Sequence, residues 1–359
     1  MHDDPPPATM SHGPAPIDDL VVLRPEGLYC PAGGFYIDPW RAVDRAVITH
    51  AHADHARRGH AHYLAAAPAA GVLRARLGEI SLQTASYGEV VTHGGVRVSL
   101  HPAGHVLGSA QVRLEAGGRV WVVSGDYFVS GAGDANPTCA PFEPVRCDCF
   151  ITESTFGLPI YRWPTQASVL AQIDAWWRGN AAAGRASLLL AYSFGKAQRL
   201  LAGVDASIGP LVVHAAVEPL NRAYRDEGVA LPPTLALSAL ADKGLARRAL
   251  VIAPPSLQRA ALPASLADAS DAFASGWMQL RGARRRQGLD RGFVLSDHAD
   301  WPGLLAAIAA TGAQRVLVTH GQEAVLVRWL RERGLQADAL RTEYAGDDAD
   351  AAQEPQEPA

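Results

Sequence analysis

THAHADHARRG, residues 49–59, is the stretch that decides how this chain is read. Within it His50, His52, Asp54 and His55 form an H-x-H-x-D-H pattern directly after a short apolar segment, residues 45–49, that reads as a strand. A divalent cation needs several lone-pair donors converging from a rigid turn. Imidazole suits zinc, manganese or iron, and carboxylate suits the harder members of that set. An extended His-x-His places two imidazoles on one side of the chain. Asp54 and His55 follow after a bend and can face a second ion a few ångströms away.

One loop does not complete a two-metal site, so the remaining ligands must come from elsewhere. GVRVSLHPAGH, residues 95–105, alternates apolar and polar residues and then breaks at Pro102 and Gly104, leaving His105 in a glycine-flanked turn. QVRLEAGGRVWVVSGDY, residues 111–127, reads as a hairpin turning at Gly117 and Gly118 and delivering Asp126, whose two oxygens can bridge two ions. CDCFITES, residues 147–154, reads as a buried strand ending at Glu153. RVLVTHG, residues 315–321, is a last strand ending on His320, and FVLSDHAD, residues 293–300, reads as a strand ending on His298. Polar side chains gathered at strand ends along one sheet edge are the usual way an α/β fold builds a site. Two ions ~3.5–4 Å apart can hold a hydroxide and stabilise an in-line displacement at phosphorus. His298, oriented by Glu153, is then the candidate proton donor at the leaving oxygen.

The bulk of the chain agrees with a globular enzyme. It has 359 residues, 48% hydrophobic and 19% charged, enough for about two domains of ~150 residues. No apolar run reaches the ~20 residues of a membrane span, and the start MHDDPPPATMSHGPAP lacks the pattern of a secretory signal, so a cytoplasmic location is expected. The four cysteines, Cys30, Cys139, Cys147 and Cys149, form no C-x-x-C pair and read as reduced thiols. The net charge of −4 does not announce a nucleic-acid binder, but the cations are nearly all arginine, which suits phosphate recognition. From about residue 159, helical patterns alternate with apolar strands, as in SVLAQIDAWWRG and SLLLAYS. The strand texture then returns near residue 293, which reads as one domain inserted into another. SFGKAQR, residues 193–199, lacks the first glycine and the hydroxyl of a Walker A loop, which argues against ATP binding, yet a helix starting there can meet a phosphate near Lys196. Arg284, Arg285 and Arg286, in QLRGARRRQG, are the other candidate nucleic-acid contacts.

Taken in order, these residues resemble the metallo-β-lactamase fold and its β-CASP nuclease branch. H-x-H-x-D-H, His105 and Asp126 match the metal motifs, Glu153 in ITESTFG the motif A acid, His298 in SDHAD motif B, and His320 in THG motif C. LLLAYSFGKAQRLL is similar to the branch's strand-loop-helix with G-[RK]-x-Q. The opening at residues 23–40, L-x-x-x-G-L-Y-C-P-x-G-G-F-x-I-D-P-W, resembles the bacterial DNA-ligase-associated exonucleases. The resemblance implies an α/β fold, a metallo-β-lactamase αββα sandwich of residues 17–158 and 294–344. It implies a β-CASP cap at 159–293, while the polar, proline-rich residues 1–16 and the acidic residues 345–359 read by composition as disordered tails of the chain. It implies that His50, His52 and His105 hold one metal, that Asp54, His55 and His320 hold the other, and that Asp126 bridges, with zinc expected ahead of manganese or iron. It further implies a DNA exonuclease of repair that works beside a DNA ligase and a helicase. Histidine at motif C is shared with RNA-directed members, so a ribonuclease of RNA processing is the alternative, and a small-molecule metallo-hydrolase is the more distant one.

Overall fold

The computed structural model describes residues 19–131, 134–257, 263–280 and 288–344. The tails 1–16 and 345–359 and the arginines 284–286 lie outside the described residues. Along the chain, β1 (Val22–Arg24), β2 (Gly27–Cys30), β3 (Phe35–Ile37), β4 (Arg45–Val47), β5 (His62–Ala66), helix α1 (Ala70–Leu77) and β6 (Leu82–Ala85) come first. The six strands form one sheet in sequence order, antiparallel from β1 to β3 and parallel from β3 to β6. β7 (Val90–His93), β8 (Val96–Pro102), β9 (Ala110–Ala116), β10 (Arg119–Val123) and β11 (Cys149–Ser154) begin a second sheet. The expected hairpin joins β9 to β10, and Gly117 and Gly118 supply the positive φ angles its turn demands.

Side-chain alternation stacks the two sheets. Val96, Val98 and Leu100 of β8, Val112 and Leu114 of β9, and Trp121 and Val123 of β10 face Leu28, Ile37 and Val47 of the first sheet in one core. The opposite face of β8 and β9 carries a charged row in which Arg113 donates to Glu115 at 2.8 Å. On β10 and β11 both faces are buried: Val122 and Phe150 point away from the first sheet.

The chain then leaves this pair of sheets. α2 (Gln166–Ala182), β12 (Ser187–Leu190), α3 (Lys196–Gly203), β13 (Leu211–Val213), α4 (Glu218–Asp226), β14 (Leu235–Ala236), α5 (Lys243–Ala246), β15 (Leu250–Ala253), β16 (Ser270–Ala274) and β17 (Arg291–Phe293) follow. Their strands make a third, all-parallel sheet in the order β14-β13-β15-β12-β16-β17. Leu189, Leu250 and Ile252 pack on α2 and α3, and Leu188, Val212 and Val251 pack on the other side with Leu240 and Ala246. Near-continuous apolar strands are what a sheet covered on both faces requires.

The chain returns through α6 (Trp301–Thr311), β18 (Arg315–Gly321), α7 (Glu323–Arg331) and β19 (Gln336–Ala339). β18 inserts beside β11 and β19 closes the seven-stranded second sheet. Leu304, Ile308, Leu326 and Leu330 of the two helices cover Phe150, Val316 and Val318. α1 covers the far face of the first sheet, so the layers run helix, sheet, sheet, helix. α6 is stopped at both ends by its sequence: the Asp300 carboxylate accepts from Gly303 N–H, and Gly312 takes the left-handed conformation.

Two expectations need correcting. The segment expected as a strand reaching His298 is a strand only to Phe293, and it pairs with β16 in the third sheet. Beyond Phe293 the chain runs as a loop, because Ser296 and Asp297 turn it toward α6 and away from any ladder. Lys196, expected at an external phosphate, is 1% exposed and paired with Asp297. No helix among the described residues is long and apolar enough to cross a membrane, and all four cysteines are free thiols.

The third-sheet unit is fastened to the first sheet at α1. Gly71 there lets Ala223 of α4 approach, since an added Cβ would stand 3.3 Å from the Ala223 methyl. Tyr224 Oη accepts from Leu107 N–H at 3.2 Å. The loop carrying Leu107 turns at Gly108, whose φ is +73° and whose missing Cβ would lie 2.3 Å from Ala69 N. Gly108→Ala should therefore lose about 3 kcal/mol or more, combining left-handed strain with overlap against backbone. Gly118→Ala, with φ +72° but open space around it, should lose only about 1–2 kcal/mol. Denaturant unfolding of the two variants gives the comparison, and equal losses would contradict the packing described for Gly108.

Candidate metal centre

The loop after β4 turns sharply and buries all four of its polar side chains. His50, His52, Asp54 and His55 are each 7% exposed or less. Three other segments bring partners to them: the β8–β9 turn brings His105, the loop after β10 brings Asp126, and the end of β18 brings His320. Donor atoms of His50, His52, His105 and Asp126 lie within 4.8 Å of one another, and so do those of His55, Asp126 and His320. Asp126 belongs to both groups. Its Oδ2 lies 3.5 Å from His50 Nε2 and 3.4 Å from His55 Nε2, and its Oδ1 lies 3.1 Å from His320 Nε2. Asp54 Oδ2 stands 3.6 Å from His55 Nε2 on the second side.

The outward nitrogen of each imidazole is already engaged, which fixes where the other nitrogen points. His50 Nδ1 meets Thr49 Oγ1 at 3.0 Å, and that hydroxyl donates to Asp38 Oδ2 at 2.5 Å. His320 Nδ1 meets Thr319 Oγ1 at 3.0 Å, and that hydroxyl donates to the Thr152 carbonyl at 3.2 Å. His55 Nδ1 meets Asp38 Oδ2 at 2.7 Å. His105 Nδ1 donates to the Asp297 carbonyl at 2.8 Å, and His52 Nε2 meets the Phe194 carbonyl at 3.3 Å. Imidazoles held in this way keep their inner lone pairs for a cation. His50 Nε2 and His55 Nε2 are buried without a hydrogen-bond partner, a costly condition unless something electropositive meets them. The donor set therefore fits divalent cations.

Electrostatics divide the cluster into neutral and charged members. Burial, reinforced by the neighbouring imidazoles, pushes His50 well down and His105 to about 3, so both are neutral and keep a lone pair. Burial also acts to lower His55, but Asp126 and Asp54 outweigh it and hold that ring well above its usual range. Burial would raise Asp126, yet His55, His298 and the hydrogen bond from His320 hold it well below the carboxylate range. It is an anion among imidazoles.

A second pair flanks the cluster. His298 Nδ1 lies 3.0 Å from Glu153 Oε2 and 3.2 Å from Oε1, and its ring is 4.6 Å from that of His105. The Glu153 carboxylate is pinned by Tyr127 N–H at 2.8 Å and by the Thr155 hydroxyl at 2.6 Å. With its oxygens so engaged, Glu153 orients His298. Trp163 Nε1 donates to the His298 carbonyl at 2.9 Å, and Phe156 packs against the His298, Trp163 and Trp277 rings. Trp277 is thus part of an aromatic wall.

Several residues of this site have no role assigned from the sequence. Asp38 orients His55 and fixes Thr49 through both the Thr49 backbone N–H and its hydroxyl. The one trace of it is an acid in the otherwise apolar run GGFYIDPW. Tyr344 stacks on His55 at 4.6 Å and 13° and donates from Oη to the Asp38 carbonyl at 3.1 Å. Asp297, with Lys196 Nζ at 2.8 Å and Arg199 Nη1 at 3.0 Å, sits behind His105. Burial would raise the Asp297 carboxyl, and the two cations hold it far below its ordinary value.

The chain is 34% identical over 326 residues to a probable DNA ligase of Opitutus terrae, a match covering 88% of this chain and 30% of that protein. The chain thus spans less than a third of that relative. Shorter matches join it to the cleavage and polyadenylation specificity factor subunit 3 of Dictyostelium discoideum (34% over 80 residues, 22% of this chain and 10% of that one). Another joins it to the endoribonuclease ysh1 of Emericella nidulans (30% over 122 residues, 33% and 13%). Among solved structures, a protein of unknown function from Enterococcus faecalis V583 superposes with a TM-score of 0.54 at 13% identity, over 84% of this chain and 80% of that one, which shows a shared fold. No family model matches the chain.

Thr319→Val keeps the shape of its side chain but removes the link between His320 and the Thr152 carbonyl. It should weaken zinc or manganese uptake by about 10–100-fold, the usual cost of losing such a support, with the melting temperature little changed. Titration calorimetry reads this, and wild-type affinity would contradict the orienting role.

Proposed function

We propose that this chain is a metal-dependent nuclease that hydrolyses phosphodiester bonds in DNA, working as an exonuclease in repair beside a DNA ligase. The observation that carries the reading is Asp126 set between two groups of buried imidazoles, with the Glu153–His298 pair at its flank. A general metallo-hydrolase needs only the first of these. A phosphodiester also needs a proton at its leaving oxygen, and the second provides it. The β-CASP assignment of the third-sheet unit, and the domain limits that go with it, belong to the same proposal.

His50, His52 and His105 would hold one ion, Asp54, His55 and His320 the other, and Asp126 both. Bound there, two divalent ions, zinc first among them, would supply an activated hydroxide and neutralise charge on the phosphate. The protein's own part is then orientation and proton transfer. Asp38, Thr49 and Thr319 keep the imidazoles aimed inward. Glu153 holds His298 by Nδ1, so that Nε2 can deliver a proton to the departing oxygen.

DNA is preferred over RNA because the similarity that runs over 88% of this chain is to a probable DNA ligase, whereas the endoribonuclease matches cover about a third of it or less. That same relative is the reason for proposing a ligase as the functional partner, with a helicase as a further one. Those endoribonuclease matches favour RNA cleavage as the second reading.

End-labelled DNA and RNA of matched sequence, incubated with zinc or manganese, separate the two readings. Cleavage of DNA alone, stepwise from an end, is expected; cleavage of RNA alone would overturn the choice. Asp126→Ala and Asp54→Ala should abolish turnover. His298→Ala should slow it by about 10²–10⁴-fold, the range of general acid–base help, at unchanged metal content. Loss of metal in that last variant would make His298 a ligand instead.

A further inference from the structure

Three charged side chains are buried together where the third-sheet unit meets the metal centre. Lys196 is 1% exposed, Arg199 2% and Asp297 3%. Lys196 Nζ binds Asp297 Oδ2 at 2.8 Å, and Arg199 Nη1 binds Oδ1 at 3.0 Å and the Ser296 carbonyl at 2.6 Å. Arg199 Nε also donates to Gln166 Oε1 at 2.5 Å, which ties the guanidinium to the start of α2. Both cations come from the first turn of α3, so one helix end grips both oxygens of one carboxylate.

What Asp297 touches on its other side gives the grip a purpose. Its main-chain carbonyl accepts from His105 Nδ1 at 2.8 Å, and its next neighbour in the chain is His298. One peptide therefore orients a residue of the imidazole cluster and carries the residue paired with Glu153. Burying three charges has a desolvation cost that well-packed apolar side chains of similar volume would avoid, often with no loss of stability. A joint made only for cohesion has no need of them. A carboxylate fixed at both oxygens does have one property an apolar contact lacks: it sets the rotation and height of its own peptide to within a hydrogen bond's tolerance.

We infer that Lys196 and Arg199 are positioning residues, which act through Asp297 to hold His105 and His298 in register at the metal centre. The inference rests on the metal-dependent reading above. It replaces the phosphate contact expected for Lys196 with an internal one.

The test uses the full chain and three variants. Lys196→Met removes the charge while filling the space, Lys196→Arg restores the charge, and Lys196→Gln serves in place of the first should that fail to fold. Two quantities are measured: zinc affinity by chelator competition, with no substrate present, and kcat and KM separately on a DNA substrate. Lys196→Met should lose about 10–100-fold in affinity for one of two zinc equivalents, as outer supports of a ligand do, and lose kcat by a similar factor with KM within about twofold. Lys196→Arg should recover most of both. Wild-type zinc affinity and kcat in Lys196→Met would overturn the inference. A rise confined to KM would also overturn it, because Lys196 would then be meeting substrate. If the unaltered chain cleaves no nucleic acid, the functional reading fails, while the zinc titrations still decide the positioning role.

Discussion

Asp126 lies buried with its two oxygens against imidazoles that arrive from distant parts of the chain, His50 and His55 on one side and His320 on the other. Gathering such groups away from water costs several kcal/mol for each charge that is not repaid by close partners. The fold must therefore do two things at once. It must hold the four contributing segments rigidly, and it must provide each imidazole with a partner for its outer nitrogen. The stacked sheets do the first, since β4, β8, β10 and β18 all run into the cluster from a shared edge and a common core. Thr49, Thr319, Asp38 and the Asp297 carbonyl do the second.

The same constraint explains why the third-sheet unit is fastened so closely to the site. Phe194 offers its carbonyl to His52, and Asp297, gripped by α3, offers its own to His105. The imidazoles expected to share the first ion are thus oriented from two directions. His50 is set by the stacked sheets, and His52 and His105 by the segments on either side of the third sheet.

What the sequence revealed and what it hid divide along a physical line. Local signals were legible: the dense His/Asp loop, the Gly117–Gly118 hairpin and the apolar strand of β11. Properties made by tertiary contact were not. Nothing local marks Asp38 as the carboxylate behind His55, because the two meet only when β3 and β4 pair. Tyr344 reaches His55 across nearly the whole chain. Lys196 read as a surface cation because charge is visible in a sequence and burial is not. The loop of His298 read as a strand because FVL is apolar, though its hydrogen bonds go to β16 and then stop at Phe293.

We propose that Asp126 joins two cation sites. Crystals grown with zinc and measured above and below the zinc absorption edge test it most directly. Two anomalous peaks are expected, one among His50, His52 and His105 and one among Asp54, His55 and His320, with Asp126 touching both. A single peak, or one held by Glu153 and His298 in place of His320, would contradict it.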